Sequence, residues 1–127
     1  MPEMANELLT PVAALHGRDL LGIQDLTKQE ALALLDLAAS LKEGTRKGAE
    51  KLHWDSLRIL AMIFEKPSLR TRFTFETAMV QLGGHAIYLS PAEIGLGKRE
   101  SVADIARNLE RWCHVVMGRV FSHNSLV

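Results

Sequence analysis

The sequence contains too few cysteines and too few long apolar runs to belong to several common protein classes. Its one cysteine, Cys113, cannot form a disulfide within the chain, which fits a reducing compartment. No apolar run approaches the roughly 18 residues that a membrane-spanning helix needs. The first residues include Glu3 and Glu7 but no Lys or Arg, whereas a secretory signal peptide begins with positive charge. We therefore expect a cytoplasmic protein that enters no membrane, with Cys113 packed as a small hydrophobic residue.

An excess of charge is also absent. The chain has 15 basic and 15 acidic residues, so its formal net charge is zero. Nucleic-acid-binding surfaces normally need a basic excess, and we expect no nucleic-acid partner. With 127 residues and a hydrophobic fraction of 47%, the chain is long enough and apolar enough for one domain with its own core.

The most informative stretch is an apolar run that leads directly into a basic turn. Residues 57–64 are apolar except for Arg58, a pattern typical of a buried strand. Pro67 ends the strand, and Ser68 is the predicted N-cap of a helix. The apolar residues that follow recur at helical spacing: Phe75, Ala78, Met79 and Leu82.

The first turn of this predicted helix has the chemistry of an anion site. The backbone N–H groups of a first helical turn lack partners within the helix, and the helix dipole attracts negative charge. Arg70 and Arg72 add two guanidinium groups, which bind phosphate through a planar fork. A phosphate-binding turn is one interpretation, and a capped helix start with a solvated basic face is the other. Composition alone does not separate them.

Upstream, a capping box predicts another helix. Thr27 and Glu30 have the required spacing, Gly44 and Gly48 are candidate ends, and residues 43–51 are polar enough to predict a loop. The predicted apolar face of this helix consists of Ala31, Leu34, Leu35, Ala38 and Leu41.

Downstream, the patterns predict two more strands and one more helix. Residues 85–89 form the second strand, the glycine-rich residues 90–100 form a loop, and Ser101 with Asp104 caps a helix. Residues 115–118 form the third strand, and Arg119 stands at its C-terminal end.

This order of elements indicates an α/β fold with a parallel sheet of three strands flanked by helices. Ligands of such sheets bind beyond the carboxyl ends of the strands, where the strand order reverses. Residues 68–72 follow the first strand and Arg119 ends the third. They face one crevice if these two strands are neighbours.

Several motifs, in the same order, resemble the carbamoyl-phosphate-binding domain of the aspartate and ornithine carbamoyltransferases. The central one is Phe-Glu-Lys-Pro-Ser-Leu-Arg-Thr-Arg at residues 64–72, in which Lys66 is typical of the ornithine branch. The resemblance covers residues 17–127 and leaves residues 1–16 as an N-terminal tail or docking segment. The other matching segments are residues 17–21, Phe75-Glu76, residues 81–86, Glu100-Ser101, residues 104–107 and Arg119.

The resemblance implies a set of site residues. The backbone of residues 68–71 and the side chain of Arg70 would hold the phosphate of carbamoyl phosphate, while Thr71 and Arg119 would reach its carbonyl oxygen and act in catalysis. Leu69 belongs to this turn but replaces a threonine common in the family. The substrate-binding set is thus Ser68, Leu69, Arg70, Thr71 and Arg119. For Arg107 we prefer a structural pairing within the domain.

The implied function is that of an ornithine carbamoyltransferase, which makes citrulline and phosphate from carbamoyl phosphate and ornithine in arginine biosynthesis. The implied assembly is a homotrimer, with no cofactor and no metal. An aspartate- or acetylornithine-type enzyme, and a non-catalytic anion-binding or subunit-interaction module, remain alternatives. Gly95 replaces a glutamine or histidine of ornithine enzymes, so we do not assign a substrate contact to the loop at residues 90–100.

The family's fourth strand, its His-Pro-x-Gln segment and its second domain find no counterpart in these 127 residues. We therefore expect the chain to be incomplete at its C-terminal end. We also expect the third strand to present an unpaired edge, and the chain alone to bind phosphate without transferring carbamoyl groups.

Overall fold

A computed structural model describes residues 11–48, 52–95 and 98–127 of the chain. The chain divides into two compact units, residues 1–51 and residues 52–127. All of the predicted site residues lie in the second unit. Within the described residues, no helix has the length and apolar character needed to span a membrane.

The first unit contains helix α1, Lys28–Arg46, which begins with the predicted capping box. The Thr27 hydroxyl accepts a hydrogen bond from the Glu30 N–H at 3.2 Å, and the Glu30 carboxylate accepts one from the Thr27 N–H at 2.7 Å. The hydrogen bond from the Thr27 N–H to the carboxylate, followed by the contact with Arg18, holds the pKa of Glu30 below its usual range. Arg18 Nη1 lies 2.6 Å from Glu30 Oε1.

Of the two candidate ends of α1, Gly48 is confirmed, because it follows the C-cap residue Lys47 with φ 72°. Gly44 is wrong as an end, and residues 43–46 are helix rather than loop. Glu43 pairs with Arg46 and Lys47 across the last turn, and a single interior glycine costs only about 1 kcal/mol. The predicted apolar face is also not a buried face, since Leu35 and Leu41 are exposed while Glu30 and Ala33 are the buried residues.

The second unit is built on a three-stranded sheet in the order β2-β1-β3. The strands are β1 Ile59–Phe64, β2 His85–Leu89 and β3 Val115–Arg119. Both pairings are parallel, with Ile59 opposite His85 and Phe64 opposite Arg119. The predicted fold class is therefore confirmed, and the first and third strands are neighbours.

Helices cover both faces of this sheet. Side chains alternate between the two faces along a strand, so the apolar residues of β1 contact a helix on each side. The helices are α2 Leu69–Gln81, the single-turn α3 Pro91–Ile94, and α4 Val102–Trp112. On one face, Leu60, Met62 and Phe64 cluster with Met79 of α2. On the other face, Ala61 and Ile63 cluster with Ile105 and Leu109 of α4.

Helix α2 is covered less than its sequence pattern predicts. Only Met79 of the predicted apolar face is buried, whereas Phe75 and Ala78 are exposed. In the described part of the chain the sheet has only three strands, so it offers α2 a narrow surface.

The segment from Ser90 to Glu100 is not all loop, which corrects another prediction. Ser90 accepts a hydrogen bond from the Glu93 N–H, the Glu93 carboxylate accepts one from the Ser90 N–H, and Pro91 occupies the first helical position. This capping box with proline is a helix signal that the glycine content concealed. Residues 96–97 lie outside the described residues.

Strand β3 lies at an edge of the sheet, as predicted, among the residues described. Val115 and Val116 of this strand are 55% and 47% exposed. An uncovered apolar edge of this kind invites pairing with another strand.

The unequal burial of β1 and β2 predicts a difference between two identical substitutions. Ile63→Val removes a methyl group from a residue that is 7% exposed and should lower the free energy of unfolding by about 0.5–1.5 kcal/mol. Ile87→Val makes the same change in β2 at a residue that is 44% exposed and should cost less than about 0.5 kcal/mol. Urea unfolding of both variants checks this, and equal losses would contradict the assigned burial.

Candidate anion-binding site

The turn between β1 and α2 places Ser68 at the N-cap position, as predicted, but without the expected cap. Ser68 has extended backbone angles of φ −158° and ψ 102°, and its side chain accepts no capping hydrogen bond. Its hydroxyl instead donates to Thr71 Oγ1 at 2.9 Å. The Ser68 carbonyl accepts the first helical bond, from the Arg72 N–H at 3.1 Å.

The N–H groups of Leu69, Arg70 and Thr71 consequently have no acceptor among the described residues. Helix α4 provides the contrast, because the Ser101 hydroxyl accepts from the Asp104 N–H at 3.1 Å. The first turn of α4 also carries an acidic residue, whereas the first turn of α2 carries none. The start of α2 therefore combines open donors with the positive end of a 13-residue helix, which is the electrostatic arrangement that binds an anion.

The two arginines of the turn play different parts. Arg72 Nε lies 2.7 Å from Glu76 Oε1, and the Arg72 guanidinium carbon lies 3.9 Å from the centre of the Tyr88 ring. Arg70 is exposed and forms no ion pair within the described residues. Arg70 therefore remains available to a ligand, and the interpretation of Arg72 as a second phosphate-binding guanidinium is corrected.

Glu93 adds a second negative neighbour to Arg72. Hydrogen bonds from the Ser90 hydroxyl and then the Ser90 N–H hold the pKa of Glu93 below its usual range, and the charge of Arg72 contributes to the shift. Sequence reasoning missed Tyr88, Glu76 and Glu93 as partners of Arg72. Only the spacing of four residues between Arg72 and Glu76 could have indicated one of them.

Arg119 approaches the same end of the sheet from β3. It is opposite Phe64 in the parallel register, and paired residues of neighbouring strands point to the same face. Phe64 and Met117 belong to the cluster on the α2 face, so Arg119 projects on that face as well. The structure thus brings all five predicted site residues to one face and one end of the sheet, with Arg119 exposed.

Two residues join the turn after β1 to the segment after β3. The Glu65 N–H donates to the Arg119 carbonyl at 2.9 Å, and Glu65 Oε2 accepts from the Phe121 N–H at 2.7 Å. Lys66 Nζ lies 5.0 Å from the centre of the Phe121 ring. Glu65 and Phe121 are 56 positions apart, and no local pattern indicates their contact.

Two other predicted roles concern residues outside this turn. Arg107 pairs with Asp104 at 2.9 Å, as expected, although both side chains are largely exposed. Cys113 is half-buried beside the cluster on the α4 face, and its thiol donates to the Leu109 carbonyl at 3.0 Å. Burial raises the pKa of the Cys113 thiol, which agrees with the expected packing role.

The fold is that of an α/β domain whose candidate site lies at the carboxyl ends of neighbouring parallel strands. Comparison with protein families identifies it further. The family described as aspartate/ornithine carbamoyltransferase, carbamoyl-P binding domain, matches residues 18–127. The chain belongs to this family.

Its relatives include several ornithine carbamoyltransferases. The chain is 54% identical to that of Deinococcus radiodurans over 113 residues, which cover 89% of this chain and 36% of the relative. It is 47% identical to that of Thermus thermophilus over 109 residues, covering 86% and 35%. The chain therefore spans about a third of the length of these relatives.

Solved structures show the same fold. The ornithine carbamoyltransferase of Pyrococcus furiosus matches with a TM-score of 0.82 at 43% identity, over 88% of this chain and 36% of that one. The aspartate transcarbamoylase of Trypanosoma cruzi, solved in complex with phosphate, matches with a TM-score of 0.78 at 26% identity, over 93% and 37%.

The different partners of the two arginines predict different effects on stability. Arg72→Ala removes an ion pair with Glu76 and a cation–π contact with Tyr88, so it should lower the free energy of unfolding by about 1 kcal/mol. Arg70→Ala removes an exposed side chain and should change it by less than about 0.5 kcal/mol. Chemical denaturation of both variants is the measurement, and a larger loss in Arg70→Ala would reverse the assignment.

Proposed function

We propose that this chain is the carbamoyl-phosphate-binding part of an ornithine carbamoyltransferase. The complete enzyme would transfer the carbamoyl group of carbamoyl phosphate to ornithine and release citrulline and phosphate. The names of the relatives from Deinococcus radiodurans and Thermus thermophilus support the ornithine branch. The phosphate bound to the related aspartate transcarbamoylase supports an anion ligand.

One observation carries the proposal. The open N–H groups of residues 69–71, with no acceptor among the described residues, share one face and one end of the sheet with Arg119. We assign the phosphate to these N–H groups and to Arg70, and the carbonyl oxygen to Thr71 and Arg119. The Leu69 side chain is 81% exposed, so we assign only its backbone N–H to the ligand. Replacement of the family's threonine by leucine leaves that donor in place.

The bond between the two hydroxyls of the turn prepares Thr71 for this role. Thr71 Oγ1 accepts the hydrogen bond from Ser68, so its own hydrogen remains available to donate to a substrate oxygen. Attack by an amine places negative charge first on the carbonyl oxygen and then on the departing phosphate. Fixed N–H groups and guanidinium groups stabilise that charge in the transition state.

We extend the proposal to assembly and cellular setting. The exposed apolar side chains of α2, which are Leu69, Phe73 and Val80, support a homotrimer built through this domain. The single cysteine supports a reducing compartment such as the cytoplasm, and the similarity to ornithine carbamoyltransferases supports a place in arginine biosynthesis. One relative, from Pisum sativum, is chloroplastic, so location differs within the family.

Removal of the Arg70 guanidinium should weaken anion binding selectively. Arg70→Ala should reduce the affinity for inorganic phosphate by about 2 kcal/mol, or roughly 30-fold, the scale of a charge-assisted hydrogen bond. Titration calorimetry measures this, with Arg107→Ala as the control because it removes another exposed arginine, from α4. Equal affinities of wild type and Arg70→Ala would overturn the proposed function.

A further inference from the structure

Glu65 is an acidic residue only three positions before the proposed anion-binding turn. A carboxylate so close in sequence to a phosphate site opposes anion binding through like-charge repulsion. Its side chain is half-buried, and it accepts a hydrogen bond from the Phe121 N–H at 2.7 Å. The Glu65 carboxylate therefore binds the backbone of another segment of the protein.

The position of this hydrogen bond in the sheet is informative. The register between β1 and β3 ends with Phe64 opposite Arg119, and the bond from the Glu65 N–H to the Arg119 carbonyl extends the ladder by one step. The ladder cannot continue along the turn, because Pro67 has no N–H to donate. The Glu65 carboxylate accepts from the next available donor on the β3 side, the Phe121 N–H.

Residues 119–121 are thus held at both ends by Glu65, through its backbone at Arg119 and its carboxylate at Phe121. The Lys66 ammonium group, 5.0 Å from the centre of the Phe121 ring, adds a second contact to the same residue. Arg119 itself forms no side-chain hydrogen bond or ion pair within the described residues. Its direction therefore depends on the backbone that Glu65 fixes.

We propose that Glu65 is a positioning residue, whose carboxylate fixes residues 119–121 so that the Arg119 guanidinium is held toward the anion bound at the start of α2. This inference rests on the proposed function, because it assigns Glu65 a role in that same site. Glu65 touches no ligand atom in this role and acts through Arg119.

Phosphate titration of Glu65→Ala and Glu65→Gln in the full 127-residue chain tests the proposal. Glu65→Ala removes the acceptor for Phe121 and should weaken phosphate binding about fivefold, the effect of one lost hydrogen bond. Glu65→Gln keeps an acceptor oxygen and removes the negative charge, so it should bind phosphate at least as well as wild type. Loss of affinity in Glu65→Gln equal to that in Glu65→Ala would overturn the role of the hydrogen bond.

A double-mutant cycle separates positioning from general stabilisation. In an Arg119→Ala background, Glu65→Ala should cause no further loss of phosphate affinity, because its effect passes through Arg119. In an Arg70→Ala background, the fivefold loss should remain. A fivefold loss in both backgrounds would show that Glu65 acts on the site without Arg119, and the proposal would fail.

Failure of the proposed function has a different signature. It shows as an absence of phosphate binding by wild type, or as unchanged affinity in Arg70→Ala, before any Glu65 variant is compared.

If Glu65→Ala does not fold, amide hydrogen exchange of wild type and Glu65→Gln provides the readout. The Phe121 amide should exchange slowly in both proteins, and exchange at the rate of an unprotected amide in wild type would overturn the proposal.

Discussion

The pairing of β1 with a parallel strand on each side is the constraint on which the rest of the structure depends. Every residue from Leu60 to Phe64 is buried, because the strand is hydrogen-bonded along both edges and covered on both faces. The end of β1 is consequently fixed, and the turn that follows it takes a defined position. The same pairing sets the register of β3, so Arg119 reaches the carboxyl end of the sheet beside that turn.

At this fixed position, α2 begins differently from the other helices given bounds in the second unit. Helices α3 and α4 each start with a serine whose hydroxyl accepts a backbone N–H, whereas the Ser68 hydroxyl at the start of α2 bonds to Thr71. A missing cap costs a helix about 1 kcal/mol. Without this cap, the N–H groups of residues 69–71 have no acceptor among the described residues. This favours the interpretation of the turn as a ligand site over that of a structural helix start.

Strand β1 could be predicted from sequence because a parallel strand buried on both faces appears as a short apolar run. Strands β2 and β3 are also short apolar runs, although neither contains a buried residue. The five residues of β2 were predicted at their exact bounds, and the helix starts at Lys28 and Val102 followed from local capping patterns. Contacts between distant segments could not be predicted. The stacking of Arg72 on Tyr88 and the bond between Glu65 and Phe121 depend on how strands pair, and no spacing within either segment encodes them.

The central claim is that an anion binds the open N–H groups at the start of α2, and amide chemical-shift mapping with inorganic phosphate tests it most directly. The account predicts saturable shifts for the amides of Leu69, Arg70 and Thr71. The first turn of α4, residues 102–104, is the internal comparison, because the Ser101 hydroxyl already accepts from the Asp104 N–H and the turn carries the acidic Asp104 side chain. Unchanged signals at residues 69–71, or equal shifts in both helices, would contradict the account.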